Sequence, residues 1–498
     1  METASRGSYE AKFAIGSLFV LLPAFLIATH SKKPVRPPAD LRDAVSALEQ
    51  LAPDTEKAAV PEGNGAPKLG GIYGRVEWIA KKRAELPVAP KLPMPKKKWT
   101  VMAFINGSNN LGESVLANDL AQMSSVGTTD NMNLVVDLGL SSGEKMSLVQ
   151  RMLLLPARRA KQINPVVYAA EINRDMGAWA NAADFIRWAK TNFPADRYMF
   201  IIGNHGGMVD GISGISFDDT SGNFIRVHQL SPLFKRAGRV DMFVLDSCLM
   251  QTAEVAYQVG EKADVIIGSE EIDWSDMSQY LERLKYLTAH SDESTEEIAA
   301  AFVKMRREKM AGDKRYTTLS AVRGSGLRDL PAALNAWTAA VMKAGKPPAV
   351  VEAVTRAARF FGPMNHTDYA NSQLVDLGDF AGRVSLASKD DGIKESTDAL
   401  LKVISKAVIA NSAVGRNSEG VDFGKAVKGL SIRMIPLAAR SPGRARGEAE
   451  QLKQHATPGV DYAYRNLRLF KESGSNWPDF LEWTRKIYTE YQLEEIKY

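Results

Sequence analysis

The sequence predicts an α/β fold with a mainly parallel central sheet that is covered by helices. From Trp99 onward, apolar runs of strand length alternate with amphipathic helical stretches. The runs are almost continuously apolar, which is typical of strands that are buried on both faces. The stretches between them are long enough to connect parallel strands by helical crossovers.

The strands and helices are predicted from hydrophobic periodicity and turn residues. In the first half of the chain, strands are predicted at 99–106, 131–140, 197–203, 240–247 and 263–269, and helices at 114–124, 178–192 and 249–259. The second half is dominated by helical patterns, with strand-like runs at 317–322 and 430–436. It is predicted to pack on the sheet as a second, helix-rich lobe.

The N-terminus has the pattern of an export signal. Basic residues flank an apolar run at 13–28, which contains Gly16, Ser17 and Pro23 and lacks a clear cleavage site. The run is slightly short for a spanning helix. A cleaved signal peptide and an uncleaved membrane anchor both fit this pattern, and a buried helix of the globular part is a third interpretation.

Composition divides the chain into four predicted segments. Residues 1–30 are the signal peptide or membrane anchor, 31–97 a spacer or pro-region rich in Pro, Ala, Lys and Glu, 98–280 the α/β core, and 281–498 the C-terminal lobe that completes it. The spacer ends in three consecutive lysines, where an exposed chain is open to proteolysis. The bulk of the protein is predicted to lie outside the cytoplasm, in the periplasm, in the cell envelope or secreted.

Charge and cysteine content narrow the class of protein. The net charge is only +5, and basic residues are interspersed with acidic ones, so nothing favours a nucleic-acid partner. The single cysteine is Cys248. Exported proteins that use disulfides carry paired cysteines, so Cys248 has no disulfide partner within the chain. A small buried apolar residue, an intermolecular bridge and a catalytic thiol are the remaining interpretations.

Two predicted strands are followed by residues whose side chains can take part in catalysis. One is followed by His205 and two glycines, and another by Asp246 and Cys248, directly before a predicted helix. Such groups lie at the carboxyl edge of a parallel sheet, where ligands bind. If the two strands are neighbours, His205 and Cys248 emerge side by side. The alternative is that His205 is an ordinary satisfied polar residue, although the other five histidines lack such a setting.

This placement predicts nucleophilic catalysis by the thiol. A thiol attacks a carbonyl as the thiolate, and both a helix N-terminus and an adjacent imidazole lower the pKa of a thiol. Cys248 is therefore predicted to be the nucleophile and His205 its acid/base partner. Backbone N–H groups of Gly206, Gly207 and Cys248 are predicted to form the oxyanion hole.

Several blocks of the sequence resemble the clostripain-like cysteine peptidases, which are relatives of caspases, gingipains and legumains. The matching blocks are WTVMAFINGSNNL, NHGG, DSCLMQTAEVAYQV, GSEE, TLSAV and KGLSIRMIP, and the resemblance extends from residue 99 to about 483. It implies a caspase-like sandwich and a cysteine endopeptidase that acts on proteins or peptides. It also implies a dyad of Cys248 and His205, an acyl-enzyme intermediate and no required cofactor.

The resemblance further implies cleavage after Arg or Lys. Asp246 matches the acidic position of the family's P1 pocket, and a fixed carboxylate suits a guanidinium or ammonium. A helix N-terminal cap is the alternative role of Asp246. A second acid is expected after GSEE, with Asp276 as the first choice and Asp273 as the next. This segment departs from the family because it lacks a Gly-Trp element.

Three further expectations concern processing, metal and function. The resemblance implies a zymogen that is cut between the histidine and the cysteine, where Arg226 is the candidate site, with Lys96–Lys98 as another. The loop that carries Asp210, Asp218 and Asp219 is a candidate calcium site. The rival function is a catalytically silent caspase-fold binding or scaffold protein of the cell envelope. Serine esterase, zincin and P-loop signatures are absent from the sequence.

Overall fold

The computed structural model describes the chain at residues 89–141, 146–157, 159, 163–209, 212–274, 278–313, 315–345, 347–360, 374–416, 420–434, 462–472 and 474–495. The predicted signal or anchor, almost all of the spacer, Asp210 and Asp276 lie outside these residues. In the part of the chain that is described, no helix is both long and apolar enough to cross a membrane.

The strands follow the apolar runs closely in the first half of the chain. They are β1 Lys97–Gly107, β2 Met132–Ser141, β3 Ser147–Leu154, β4 Pro165–Ile172, β5 Ala195–Gly203, β6 Gly206–Val209, β7 Ile212–Asp218, β8 Asn223–Arg226, β9 Val240–Asp246, β10 Ala263–Gly268, β11 Thr317–Arg323, β12 Arg359–Phe360, β13 Leu374–Asp376, β14 Val408–Val414 and β15 Ser431–Arg433.

The helices alternate with the strands. They are α1 Gly112–Ser114, a π-helix Val115–Leu120, α2 Ala121–Val126, α3 Trp179–Asn192, α4 Leu230–Ala237, α5 Ala253–Val259, α6 Tyr280–Ala289, α7 Thr295–Lys309, α8 Leu330–Ala344, α9 Pro347–Arg356, α10 Leu377–Ser388, α11 Asp391–Ala407, α12 Phe423–Ala426, α13 Tyr462–Arg465, α14 Arg468–Lys471 and α15 Trp477–Glu495.

A nine-stranded sheet has the order β14-β11-β10-β9-β5-β1-β2-β3-β4. Its five central strands, β10, β9, β5, β1 and β2, are parallel to one another. Antiparallel strands extend it on both sides, with β11 and β14 at one edge and β3 and β4 at the other. The predicted parallel sheet is confirmed, because its five central strands are those predicted in the first half.

Helices cover both faces of this sheet. On one face, Phe200 and Phe243 of neighbouring strands stack with ring centroids 5.7 Å apart, and Phe234 of α4 packs edge-on against Phe243. On the other face, Met242 belongs to a buried cluster that includes Leu284 of α6. Continuously apolar strands therefore bury side chains in two separate cores, as the uninterrupted runs predict.

The second half contributes to the same sheet through β11 and β14. The predicted strand at 430–436 is β15, which pairs with β13 in a separate three-stranded sheet. In the large sheet, strands β3, β4 and β14 were not predicted. In the two small sheets, β6, β7, β8, β12 and β13 were not predicted either. In β14 the side chains are mostly half-buried and include Asn411 and Ser412, so the strand lacks the continuous apolar run of a central strand.

The predicted helix at 249–259 has the wrong start. Thr252 Oγ1 accepts a hydrogen bond from Val255 N at 3.1 Å and caps α5, which begins at Ala253. Before this cap, Leu249 has a φ of 61°. The chain therefore leaves β9 through an irregular turn, and Cys248 does not lie at a helix N-terminus.

Candidate active site

The carboxyl ends of β5 and β9 bring His205 and Cys248 to one edge of the sheet. The two strands are parallel neighbours, with Gly203 paired to Asp246, and Asn204 N donates to the Asp246 carbonyl at 3.3 Å. The two strands are adjacent, which meets the condition under which His205 and Cys248 emerge side by side, and the residues that follow the strands belong to neighbouring loops.

Gly206 lies directly against the cysteine loop. A Cβ atom on Gly206 would be 2.5 Å from the Cys248 carbonyl oxygen and 2.9 Å from Ser247 Oγ. Such distances are too short for any side chain, so glycine is required for the two loops to approach this closely. The glycine after the histidine thus has a packing reason as well as the predicted catalytic one.

Of the two glycines after His205, Gly206 has the amide that faces away from the neighbouring strand. Ser216 N donates to the His205 carbonyl at 3.2 Å, so the His205–Ser216 position is hydrogen-bonded. Pairs alternate along an antiparallel ladder, and the next pair is Gly206 with Ile215. The N–H of Gly206 therefore points away from β7, whereas that of Gly207 faces it.

The imidazole of His205 has a polar partner from the loop after β1. His205 Nε2 lies 2.7 Å from Asn110 Oδ1. Burial lowers the pKa of His205 below its ordinary value, and the nearby Asp219 carboxylate acts in the opposite direction. The ring is therefore neutral at physiological pH, with one nitrogen available to accept a proton.

The thiol of Cys248 is bonded to the loop after β10. Asp273 N donates to Cys248 Sγ at 3.3 Å, and Sγ lies 3.7 Å from the Asp273 carbonyl oxygen. Leu249 N also donates to the Glu271 carbonyl at 3.2 Å. Burial raises the pKa of Cys248 to about 12, and the negative charges of Asp273 and Glu271 add to this rise.

The predicted lowering of the thiol pKa is therefore wrong for this arrangement. The expected causes were a helix N-terminus and an adjacent imidazole. The helix begins at Ala253, the described partner of the imidazole nitrogen Nε2 is Asn110, and carboxylates surround the thiol instead. Cys248 is a protonated thiol in this structure.

Asp246 points into a group of buried charged side chains beneath the site. Tyr280 Oη donates a short hydrogen bond to Asp246 Oδ2. Burial raises the pKa of Asp246, and so does the charge of Asp273, whereas Arg283 and Arg306 act to lower it. The carboxylate is not a helix cap, because α5 starts seven residues later with its own cap at Thr252.

Asp273 belongs to this group, but its charge is already balanced. Arg306 Nη1 donates to Asp273 Oδ1 at 2.7 Å, and Arg306 Nη2 lies 3.3 Å from Asp273 Oδ2. Both side chains are almost completely buried. A two-point pair of this kind holds the carboxylate firmly. The first choice for the second P1 acid, Asp276, lies outside the described residues.

A third carboxyl group, which was not predicted, reaches the same place. Asp119 lies in the π-helix Val115–Leu120 and accepts a hydrogen bond from Ser278 Oγ at 2.6 Å. Burial and the charge of Asp246 raise the pKa of Asp119 to about 8. Asn110 was also not predicted as part of the site. Both residues follow β1: Asn110 lies in the block WTVMAFINGSNNL that resembles the family, and Asp119 lies in the helix predicted at 114–124, but neither side chain carries a signal of its own in the sequence.

The predicted processing site at Arg226 is the last residue of β8. Its backbone is paired with Gly214, and its guanidinium lies over the Phe224 ring at 4.4 Å. Cleavage after Arg226 therefore requires this hairpin to open. The other candidate, Lys96–Lys98, leads into β1, where Lys96 pairs with Asp196 at 2.5 Å.

In the loop predicted as a calcium site, the Asp218 carboxylate is already hydrogen-bonded to backbone N–H groups. Asp218 accepts hydrogen bonds from the backbone N–H groups of Met176, Thr220 and Ser221. Asp219 lies near His205. No group of three or more His, Cys, Asp or Glu side chains within the described residues could hold a metal ion. Calcium binding stays a prediction.

The sheet order, together with a histidine and a cysteine after two adjacent parallel strands, is the architecture of the caspase-fold peptidases. A model described as the clostripain family matches residues 103–482. Because this match covers most of the chain, the protein belongs to the clostripain family.

Known relatives agree with this assignment. Clostripain from Hathewaya histolytica is 28% identical over 273 residues, which are 44% of this chain and 52% of the relative. The chain thus aligns with about half the length of that curated relative.

Solved structures show the same fold. The inactive zymogen C11 protease from Parabacteroides distasonis superposes with a TM-score of 0.53 at 18% identity, over 78% of this chain and 99% of that one. A secreted C11 cysteine protease from Bacteroides thetaiotaomicron, in complex with an irreversible peptide inhibitor, has a TM-score of 0.52 at 17% identity, over 76% of this chain and 99% of that one. The caspase-like sandwich is thereby confirmed.

Proposed function

We propose that this protein is a cysteine endopeptidase in which Cys248 is the nucleophile and His205 the general base and acid. The observation that carries the proposal is the position of the two residues after adjacent parallel strands, with Gly206 packed against the cysteine loop. Membership of the clostripain family supports the same activity.

The proposed reaction follows from the protonation states. The neutral imidazole of His205 accepts the thiol proton, and Sγ attacks the carbonyl carbon of the scissile peptide bond. The resulting oxyanion is stabilised by the Gly206 and Cys248 amides. His205 then donates its proton to the leaving amine, and water hydrolyses the thioester. Water transfers one proton to His205 as its oxygen attacks the thioester carbonyl, the Cys248 thiolate leaves, and His205 returns that proton to the thiolate.

The structure has features of a resting form. Cys248 Sγ is bonded to the Asp273 backbone, and its raised pKa opposes ionisation. The superposed structure from Parabacteroides distasonis is described as an inactive zymogen. We propose that activation requires the loop after β10 to release the thiol, by processing at Arg226 or by substrate binding.

We also propose cleavage after Arg or Lys. Asp246 is two residues before the nucleophile, and its carboxylate is fixed by Tyr280 below the catalytic edge. A half-buried, oriented carboxylate favours a P1 guanidinium or ammonium. The predicted second acid at Asp276 remains part of this proposal.

The proposed site of action is outside the cytoplasm. The export pattern within residues 1–30 supports this location, and one superposed protease is described as secreted and as bound to a peptide inhibitor. Protein or peptide substrates in the envelope or the medium fit this setting. Tethering through the N-terminal apolar run is the prediction for an uncleaved signal.

Covalent labelling tests nucleophile and pocket together. An arginyl chloromethyl ketone is expected to modify Cys248, as mapped by mass spectrometry of the digested protein. Cys248→Ala and His205→Ala are each expected to abolish cleavage of Arg and Lys reporter peptides. A probe with a neutral P1 residue is the matched control and should label poorly.

The rival proposal is a silent binding protein with the same fold. It predicts that Cys248 reacts with iodoacetamide but that neither wild type nor Cys248→Ala cleaves any peptide. Full cleavage by both proteins would instead exclude Cys248 as the nucleophile.

A further inference from the structure

Asp119 and Asp246 come from distant parts of the sequence and are held by the same short segment. Ser278 Oγ donates to Asp119 Oδ1 at 2.6 Å, and Tyr280, the first residue of α6, donates through its hydroxyl to Asp246 Oδ2. Asp246 is the last residue of β9, and Asp119 belongs to the π-helix that follows α1. The two carboxyl groups therefore lie at one place under the catalytic edge.

The end of β5 lies beside this pair. Gly203 is the last residue of β5, two residues before His205. A Cβ on Gly203 would be in ordinary van der Waals contact with Tyr280 Oη at 3.6 Å and with Asp246 Oδ2 at 3.9 Å, so both groups lie next to the strand that leads to His205. The π-helix itself is an independent sign, because π turns in helices are rare and occur frequently at functional sites.

Two buried arginines face the three acids Asp119, Asp246 and Asp273, so they cannot balance all three acids in the ionised form. Arg306 is paired with Asp273 at 2.7 Å. Arg283 is almost completely buried and acts on both Asp246 and Asp273, but two of its guanidinium nitrogens, Nε and Nη2, have no hydrogen-bond partner among the described residues. When all three acids are ionised, the two arginines leave one negative charge without a counterpart.

We propose that Asp119 is a specificity-determining residue, which together with Asp246 receives the cationic P1 side chain. The incoming guanidinium or ammonium supplies the one positive charge that the buried group lacks. Asp273, in contrast, is the counterion of Arg306 and not a substrate contact. This inference rests on the proposed peptidase function and adds to it a further acid of the P1 pocket, beside Asp246.

Cation binding by Asp119 and Asp246 is expected to depend on pH. In the empty pocket, burial and the charge of Asp246 raise the pKa of Asp119 to about 8, so Asp119 is protonated at neutral pH. A cation favours the ionised carboxylate, and its binding therefore releases one proton. The affinity for a cation rises with pH up to about 8 and becomes constant above it.

The same cluster beneath the catalytic edge contains other charged or titratable groups. They are Asp246 of β9, Asp273 of the loop after β10, Tyr280 and Arg283 of α6, and Arg306 of α7. Tyr280 has a pKa well above its ordinary value, and burial lowers the pKa of His205 and raises that of Cys248 to about 12. Lys190, with a pKa of about 8, is bonded to the carbonyls of Ala237 and Arg239 after α4.

Benzamidine, a permanent cation over this pH range, is the probe. Its inhibition constant against an Arg reporter peptide is measured with the full chain between pH 6.5 and 9. The constant is expected to fall about 10-fold from pH 6.5 to pH 8 and then to level off. Asp119→Asn should remove this pH dependence. It should also reduce the preference for Arg over the neutral isostere citrulline at P1 by about 10-fold or more.

Glu113→Gln, an exposed acid of α1, is the matched control and should behave as wild type. Iodoacetamide reactivity of Cys248 should be unchanged in Asp119→Asn. If wild type cleaves Arg peptides but its benzamidine affinity does not depend on pH, the proposal is overturned even if the variant fails to fold. An unchanged pH profile and preference in a folded Asp119→Asn overturn it as well.

A failure of the proposed function has a different signature. Wild type would then cleave no peptide in any condition. Benzamidine binding measured as a shift in Tm still tests the pocket in that case. A shift that grows from pH 6.5 to pH 8 in wild type and not in Asp119→Asn supports the carboxyl pair, and equal shifts in both proteins contradict it.

Discussion

Two groups of acids lie at different places in the fold, and they are balanced in different ways. Asp119, Asp246 and Asp273 face two buried arginines beneath the catalytic edge. Glu270 and Asp376 are almost fully buried. Burial and the charge of Asp376 raise the pKa of Glu270 well above its ordinary value. Burial raises the pKa of Asp376 to about 6.

The first group is the one proposed to bind the P1 cation, whereas the second is a structural joint. Asp376 accepts hydrogen bonds from the backbone N–H groups of Asp379, Lys428 and Gly429, so it fastens the turn before β15 to the start of α10. Glu270, two residues after β10, and Asp376 each act on the pKa of the other. At the joint, protons and backbone amides neutralise the acids, whereas beneath the catalytic edge two arginines balance two of the three acids and the proposed P1 cation balances the third.

The largest expected effect is on stability, and it tests whether Arg306 balances the charge of Asp273. Arg306→Met leaves the carboxylate of Asp273 buried without its partner, and the free energy of unfolding should fall by about 3–5 kcal/mol. Urea denaturation measures it. The double variant Arg306→Met with Asp273→Asn should recover much of the loss, because it removes the uncompensated charge. A single variant as stable as wild type would contradict the assigned pairing.

The next effect concerns selectivity and not stability. Asp246→Asn keeps an acceptor for Tyr280 but removes the charge, so kcat/KM for Arg and Lys reporter peptides should fall by about 100-fold relative to a citrulline peptide. Steady-state kinetics measure the ratio. Alkylation of Cys248 by iodoacetamide and Tm should change little, and an unchanged ratio would remove Asp246 from the pocket.

A smaller effect separates the acid/base machinery from the pocket. Asn110→Ala removes the acceptor 2.7 Å from His205 Nε2, and kcat should fall about 10-fold for Arg and citrulline peptides alike. The conservative variant Asn110→Asp retains an acceptor and adds a negative charge, which raises the pKa of His205. The acidic limb of its kcat/KM profile should therefore move to higher pH, and identical limbs would exclude the contact.

The smallest effect is expected at the structural joint. The raised pKa of Glu270 means that it is protonated in the folded protein at pH values where the unfolded chain ionises. Its contribution to stability is greatest below the unfolded pKa and declines as the pH rises toward the folded one.

Glu270→Gln removes this penalty. The free energy of unfolding at pH 8 should rise by about 1 kcal/mol, and its decline between pH 5 and pH 8 should become shallower. Denaturation at several pH values measures both, and peptide selectivity should not change. Glu113→Gln is the exposed control, and a destabilised Glu270→Gln would show that the ionised carboxylate is needed.

The predictable parts of the molecule are those set by local pattern. The five central strands were predicted because each is an apolar run that is buried on both faces. His205 and Cys248 were expected at one sheet edge because catalytic groups in α/β folds follow the carboxyl ends of strands, but the pairing of β5 with β9 was only a condition of that expectation, which the structure meets. The helix after Cys248 was misplaced because apolar periodicity continues through Leu249 and Met250, whereas the cap lies at Thr252.

The sequence by itself determined the parallel sheet, the residues at its carboxyl edge and the resemblance that led to the clostripain family. Only the tertiary structure decided the electrostatics of the site. The pKa of the thiol, the partner of His205, the pairing of Asp273 with Arg306 and the approach of Asp119 to Asp246 all depend on contacts between residues far apart in the chain. Burial and charge act through space, and no local pattern records the distances that govern them.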